Sequence, residues 1–198
     1  MIIQFCGLSG VGKSTLAART KEYLLEKGIK VEMIDGDLYR SKLCKDLGFT
    51  KQDRQENIRR LGFIASRFSQ QGIVSIMSAI NPFEEIRREL TATYPNVKTI
   101  FLDCSLETLF ERDTKGLYKR ALLPEGDPNR LSNLTGVNDT FEIPENPDLY
   151  INTGTHSIAD CTREIAKFII KNFRPDTPQR PTRVSAFRKS GFKLAAYE

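Results

Sequence analysis

Lys13 and Ser14 are the residues whose type and spacing point most directly to chemistry. They close the pattern Gly7-Leu8-Ser9-Gly10-Val11-Gly12-Lys13-Ser14, with Thr15 behind it and the apolar run 2–6 in front. This is a complete phosphate-binding loop in its strand-then-helix setting. Backbone N–H groups of such a loop surround a triphosphate, and a helix beginning near Lys13 turns its positive end to the same place. The Lys13 ammonium reaches the β- and γ-phosphates, and the Ser14 hydroxyl can ligate Mg²⁺. The pattern therefore predicts a nucleoside-triphosphate site and leaves open where the γ-phosphate goes.

A second set of groups follows the next apolar run. Asp35-Gly36-Asp37 sets two carboxylates across a glycine. One can hold Mg²⁺ through water, and the other can orient or deprotonate a hydroxyl. Asp37 could also simply cap the helix that starts at Leu38. Asp103 ends another apolar run and ranks behind Asp35 as a metal carboxylate, with capping of the helix at Leu106 as its plainer role. Arg40, Arg54, Arg59 and Arg60 form a basic cluster suited to phosphate or sulfate oxygens. The competing reading is a solvated helix face with i,i+4 pairs such as Glu56–Arg60. His156 reads as a loop residue. Cys6, Cys44, Cys104 and Cys161 are scattered without a CxxC pair and read as reduced, buried side chains.

These groups need a scaffold that lines them up. Short apolar runs at 2–6, 31–34, 73–77, 97–102 and 149–151 read as buried parallel strands. Helical patterns at 14–26, 38–45, 51–71, 84–93, 106–113 and 158–172 separate them, with Thr50 or Lys51 starting the long helix and Gly72 ending it. The alternation predicts an α/β fold, a five-stranded parallel sheet with helices on both faces. Ligands of such sheets sit at the carboxyl ends of the strands, which is where the candidate residues fall. Residues 114–147 lack periodicity and read as a mobile lid. The division expected is a single domain over 1–173 and a tail over 174–198 with Pro175, Pro178 and Pro181.

Charge and hydropathy narrow the function classes. The net charge is +5, but six basic and two acidic residues from Arg174 onward supply four of those charges. The remainder is near neutral, so a nucleic-acid surface is not expected. No apolar run is long enough to span a bilayer and the start lacks a signal-peptide pattern, so the expected place is the cytoplasm.

The order of motifs resembles the adenylylsulfate kinase family. Gly7 to Thr15, Asp35-Gly36-Asp37-x-x-Arg40, Leu47-Gly48-Phe49, Asp53-Arg54-x-Glu56-Asn57-Ile58-Arg59-Arg60, Arg112-Asp113-x-Lys115-Gly116-Leu117-Tyr118-Lys119 and Leu134-Thr135-Gly136-Val137-Asn138 carry the resemblance, over about residues 2–172. It implies a P-loop nucleoside-triphosphate hydrolase fold with a lid, in a homodimer. The implied activity belongs to sulfate assimilation: transfer of the ATP γ-phosphate to the 3′-hydroxyl of adenosine 5′-phosphosulfate. By the same resemblance Phe49 would stack on the acceptor's adenine, with Ile80 near it. Arg40, Arg54 and Asn57 would hold its phosphosulfate and ribose, and Lys115 and Lys119 would close over both substrates. Asp37 would activate the hydroxyl while Asp35 supports Mg²⁺. Arg112 would cover the ATP adenine opposite the loop that contains Thr155.

Three positions depart from the family pattern. Ile80-Asn81-Pro82 stands where the family reads Ile-Ser-Pro, whose serine has been described as a phosphorylated intermediate. An asparagine amide cannot carry a phosphoryl group that way, so direct in-line transfer is expected. Leu134 replaces a family phenylalanine, keeping apolar contact with the adenine but not stacking. The stretch Leu123-Pro124-Glu125-Gly126-Asp127-Pro128 lengthens the lid. A kinase of the same fold for another small anionic acceptor is the nearest rival. A guanine-nucleotide switch would need Asn-Lys-x-Asp after a strand, which this sequence lacks.

Overall fold

The computed structural model describes residues 1–174. The expected tail beyond Arg174 lies outside them. Five strands, β1 (Ile2–Cys6), β2 (Val31–Asp35), β3 (Val74–Ser78), β4 (Val97–Asp103) and β5 (Leu149–Asn152), form one parallel sheet in the order β2-β3-β1-β4-β5. The helices are α1 (Lys13–Glu26), α2 (Gly36–Leu43), α3 (Lys51–Ser69), α4 (Glu84–Thr93), α5 (Leu106–Arg112), α6 (Leu117–Ala121) and α7 (Ile158–Asn172).

Strand β1 is central and buried along its whole length. Its side chains alternate between two apolar layers, as a strand's two-residue period requires. Ile3 and Phe5 join the layer that holds Leu16, Leu24, Leu109, Ile165 and Ile169 of α1, α5 and α7. Ile2 joins the opposite layer, with Ile58, Leu61, Ile86 and Leu90 of α3 and α4. The pairing register levels the strand ends: Phe5 and Asp35 both face Ser78, Cys6 faces Phe101, and Asp103 faces Asn152. Everything that follows a strand therefore emerges along one edge.

Element edges differ from the sequence reading by a few residues, with physical causes. Strand β2 continues through Asp35, and α2 begins at Gly36 because the Asp35 carboxylate caps it. Helix α3 starts from a capping box in which Thr50 and Asp53 exchange side-chain and backbone hydrogen bonds. It ends at Ser69, before Gly72, whose φ of 73° no helix interior tolerates. The larger correction lies in 114–147, which contains α6. Its first turn is held by the Asp113 carboxylate, which accepts from the Tyr118 and Lys119 amides (3.1 and 2.9 Å). Five residues are too few to show a helical period. Among the described residues no helix is long and apolar enough to cross a membrane.

The phosphate loop leaves the sheet at Gly7, close against the backbone of β4. Gly7 has φ of 150°, and a Cβ there would lie 2.3 Å from the Leu102 carbonyl oxygen. Gly7→Ala should therefore force β1 and β4 apart. We expect a loss of about 2 kcal/mol in urea unfolding together with weakened nucleotide binding. A variant of wild-type stability would show that the β4 backbone yields.

Candidate active site

Gly10 and Gly12 take positive φ of 77° and 96°, conformations that turn a loop back on itself at no Cβ cost. The Lys13 ammonium folds over the loop and donates to the Gly7 and Leu8 carbonyls (3.0 and 2.7 Å). Burial pulls its pKa from 10.5 down to about 8, and the neighbouring Lys115 adds to this, while Asp37 opposes it. Burial pushes the Cys6 thiol up to about 12, so this cysteine is inert beside the loop.

Asp35 divides its carboxylate between two tasks. One oxygen accepts from the Asp37 and Leu38 amides and caps α2 (3.1 and 3.0 Å). The other accepts from the Ser14 hydroxyl at 2.7 Å, which also lies 3.3 Å from the Ser78 hydroxyl. Asp35, not Asp37, is thus the cap. Asp37 is left with its side chain 80% exposed, on the first turn of α2, paired with Lys115 Nζ at 2.5 Å. Asp103, the second metal candidate, points elsewhere: its oxygens accept from the Cys104 amide and the Tyr150 hydroxyl (both 2.8 Å), and Ser105 caps α5.

Two hollows meet in front of these groups. The larger, of about 660 Å³, is lined by Ser9, Gly10, Gly12, Lys13, Ser14 and Thr15 on one side and by Phe49, Arg54, Ile80, Lys115 and Leu134 on the other. The smaller, of about 100 Å³, is lined by Arg40, Phe49, Arg54, Asn57, Ile80 and Asn81. Asp37 lines both. The pair is one cleft with a phosphate end and a guanidinium end.

The arginine cluster divides between them and the helix surface. The Arg54 guanidinium bonds the Phe49 and Asn133 carbonyls (3.1 and 2.8 Å) and pairs with Asp139. Arg40 reaches the Leu47 and Gly48 carbonyls and lies 4.5 Å from the Phe49 ring centre. Arg59 instead pairs with Glu89 on α4, and Arg60 pairs with Asp46 and, as the i,i+4 reading expects, with Glu56. Lys119 is exposed on α6 and does not line either hollow. Arg112 and Thr155 are likewise outside the lining. They sit together at the end of β5, where Arg112 donates to the Thr153 carbonyl (2.8 Å) and the Asn152 side chain accepts from the Thr155 amide (3.1 Å). His156 Nδ1 lies 2.9 Å from the Asn152 carbonyl, a loop contact.

The family description adenylylsulphate kinase matches residues 1–152. The chain belongs to this family. The adenylyl-sulfate kinase of Deinococcus deserti is 44% identical over 83% of this chain and 88% of its own. That of Chloroflexus aurantiacus is 40% identical over 81% and 84%. Among solved structures, the Mycobacterium tuberculosis APS kinase CysC in complex with AMPPNP and APS is 35% identical. It superposes with a TM-score of 0.78, covering 85% of this chain and 96% of that one.

The adenylylsulphate kinase motifs include Tyr118 without showing what it touches, and they leave out Arg87. Tyr118, on α6, buries its ring and donates its hydroxyl to the Ser9 carbonyl at 2.8 Å, tying α6 to the phosphate loop. Its tie joins residues 109 positions apart, a distance no local motif spans. Arg87 is 2% exposed and donates to the Asn81 carbonyl and the Glu142 carbonyl (both 2.7 Å). Asn81, at φ of 50°, donates its amide to Gln4 of β1 (3.0 Å), whose own amide nitrogen is held by Thr99 and the Arg87 carbonyl. An arginine in a charged helix reads as solvent-facing. Only the inward turn of the α4 stripe that carries Ile86 and Leu90 signals otherwise.

The lowered pKa of Lys13 has a measurable consequence. A bound triphosphate stabilises the protonated ammonium and raises its pKa, so binding takes up a proton once the free enzyme has begun to lose it. Nucleotide affinity should fall as pH rises through about 8. Calorimetry at pH 8.5 in buffers of different ionisation enthalpy should show net proton uptake that disappears in Lys13→Met. Equal uptake in that variant would assign the proton to another group.

Proposed function

We propose that this protein transfers the γ-phosphoryl group of ATP to the 3′-hydroxyl of adenosine 5′-phosphosulfate, giving 3′-phosphoadenosine 5′-phosphosulfate. One observation carries the reading: Asp37 stands on the wall shared by the phosphate end and the guanidinium end of the cleft. A carboxylate at that junction faces both the phosphorus under attack and the attacking hydroxyl. Family membership and the resemblance to a structure solved with APS and AMPPNP support the choice of substrates.

The residues then divide the work. The loop amides of 7–15 and Lys13 hold the triphosphate and neutralise charge that gathers on the transferring group. Arg40, Arg54 and Asn57 bind the phosphosulfate and ribose of the acceptor, with Phe49 and Ile80 against its adenine and Leu134 as an apolar wall. The 3′-oxygen forms the new P–O bond as the bond to the β-phosphate bridging oxygen breaks, and its proton passes to Asp37. Lys115 must leave Asp37 for this, and its ammonium is then free for the phosphates of both substrates. Arg112 and the loop with Thr155 cover the ATP adenine, while Lys119 on α6 reaches the cleft once 114–147 closes. Closure excludes water that would otherwise take the phosphoryl group.

The Ser14 hydroxyl and the Asp35 carboxylate, 2.7 Å apart, present hard oxygen donors that fit Mg²⁺. Held there, Mg²⁺ would supply positive charge against the phosphates. Asn81 supports direct transfer, because its side-chain nitrogen donates to Gln4 and the amide has no hydroxyl to take the phosphoryl group. The reading includes a cytoplasmic homodimer. Leu134 favours one alternative, a related anionic nucleotide as acceptor, since it offers no ring for stacking.

Two substitutions test the mechanism. Asp37→Asn should lower kcat by about 100-fold or more with the Kd for ATP little changed. Loss of ATP binding instead would remove Asp37 from proton transfer. Asn81→Ala should keep kcat within about tenfold, the range expected when only positioning is disturbed. An ADP-release assay across a panel of nucleotide acceptors identifies the substrate, and silence with adenosine 5′-phosphosulfate would overturn the proposal.

A further inference from the structure

Arg54 is fixed by protein groups on three sides. Its Nε donates to the Phe49 carbonyl at 3.1 Å, and its Nη2 to the Asn133 carbonyl and the Asp139 carboxylate, both at 2.8 Å. Nη1 has no hydrogen-bond partner among the described residues, and Arg54 lines both hollows of the cleft. The side chain is only 11% exposed, so this one nitrogen is the edge it offers to a ligand. Burial pulls the guanidinium below its ordinary range, and Asp139 is the charge that opposes this.

Asp139 is itself held in place. Its other carboxylate oxygen accepts from the Thr140 amide at 2.8 Å, and its carbonyl accepts from the Gly136 amide at 2.8 Å. The turn that carries it rests on the phosphate loop. A Cβ at Gly136, which has φ of 87°, would lie 2.4 Å from the Leu8 side chain. A single turn thus touches the donor loop through Gly136 and the acceptor arginine through Asp139.

We propose that Asp139 is a positioning residue for the acceptor: it aims Arg54 so that Nη1 meets the acceptor's anionic group at a fixed offset from the phosphate loop. This rests on the kinase reading given above. An arginine already paired with a carboxylate recognises an anion by direction more than by surplus charge. Releasing it would leave a long, rotatable cation that binds the same anion in many poses, and acceptor affinity would fall.

The test is a double-mutant cycle on the intact protein with Asp139→Ala and Arg54→Lys. Asp139→Ala should raise the KM for adenosine 5′-phosphosulfate about tenfold, lower kcat less than threefold and leave the KM for ATP within about twofold. Added to Arg54→Lys, it should raise the acceptor KM less than twofold further, because the residue it acts through is already altered. Calorimetric titration of the acceptor with ADP present gives the same cycle without turnover. Multiplicative effects of the two substitutions, or equal rises in both KM values, would overturn the inference. Should Asp139→Ala fail to fold, Asp139→Asn enters the same cycle, and a wild-type acceptor affinity there also overturns it. A wild-type protein that neither binds nor phosphorylates adenosine 5′-phosphosulfate would overturn the kinase reading first. Normal wild-type turnover with an additive cycle would fault Asp139 alone.

Discussion

The Asp35 carboxylate is the interaction on which the site depends. It sits at the last residue of β2, level with the end of β3, and each of its oxygens has a different duty. One starts α2 by capping two amides, which fixes the direction in which Asp37 leaves the backbone. The other holds the Ser14 hydroxyl, which fixes the first turn of α1 beneath the phosphate loop. Two helices and two candidate catalytic groups are set by one side chain. Its rigidity comes from the parallel ladder on which it stands rather than from local contacts.

Charge in the cleft is balanced in pairs. Lys115 covers Asp37, Asp139 covers Arg54, and Lys13 rests on loop carbonyls. Each pair contains a group that a substrate would claim. In the proposed reaction binding exchanges the partners of Lys115 and Lys13 while Arg54 keeps Asp139, so bare charge is not buried and the desolvation cost stays low. The exposed Lys115–Asp37 pair is the weakest of these, since solvent screens both members. In the proposed reaction it is also the one that opens before phosphoryl transfer.

Much of the fold was legible in the sequence because its signals are local. Five apolar runs gave five strands, and the glycine-rich loop carried its own strand and helix with it. The candidate site was legible where chemistry is encoded by neighbours, as in Asp35-Gly36-Asp37. It was illegible where a group acts through a partner far along the chain. Arg59 and Arg60 look like Arg54 in sequence, yet α4 and Asp46 claim them. Arg87 looks like any surface arginine until the fold buries it against Asn81 and Glu142. Helix α6 escaped because five residues show no period, and because Asp113, which holds its first amides, lies before its N-cap Gly116.

The tie between Tyr118 and Ser9 acquires a further meaning beside the one between Arg87 and Glu142. The first pins the segment 114–147 near its start, and the second pins it near its end. The bonds of Arg54 to Asn133 and Asp139 hold it between them, so the segment cannot swing like a door on one hinge. Between Tyr118 and Asn133 the middle of the span falls within Leu123 to Pro128, where a bowing movement would have its greatest travel. Extra length there adds to the arc without loosening the holds, so in the proposed lid it would change how wide the cleft opens and leave the seat unaltered.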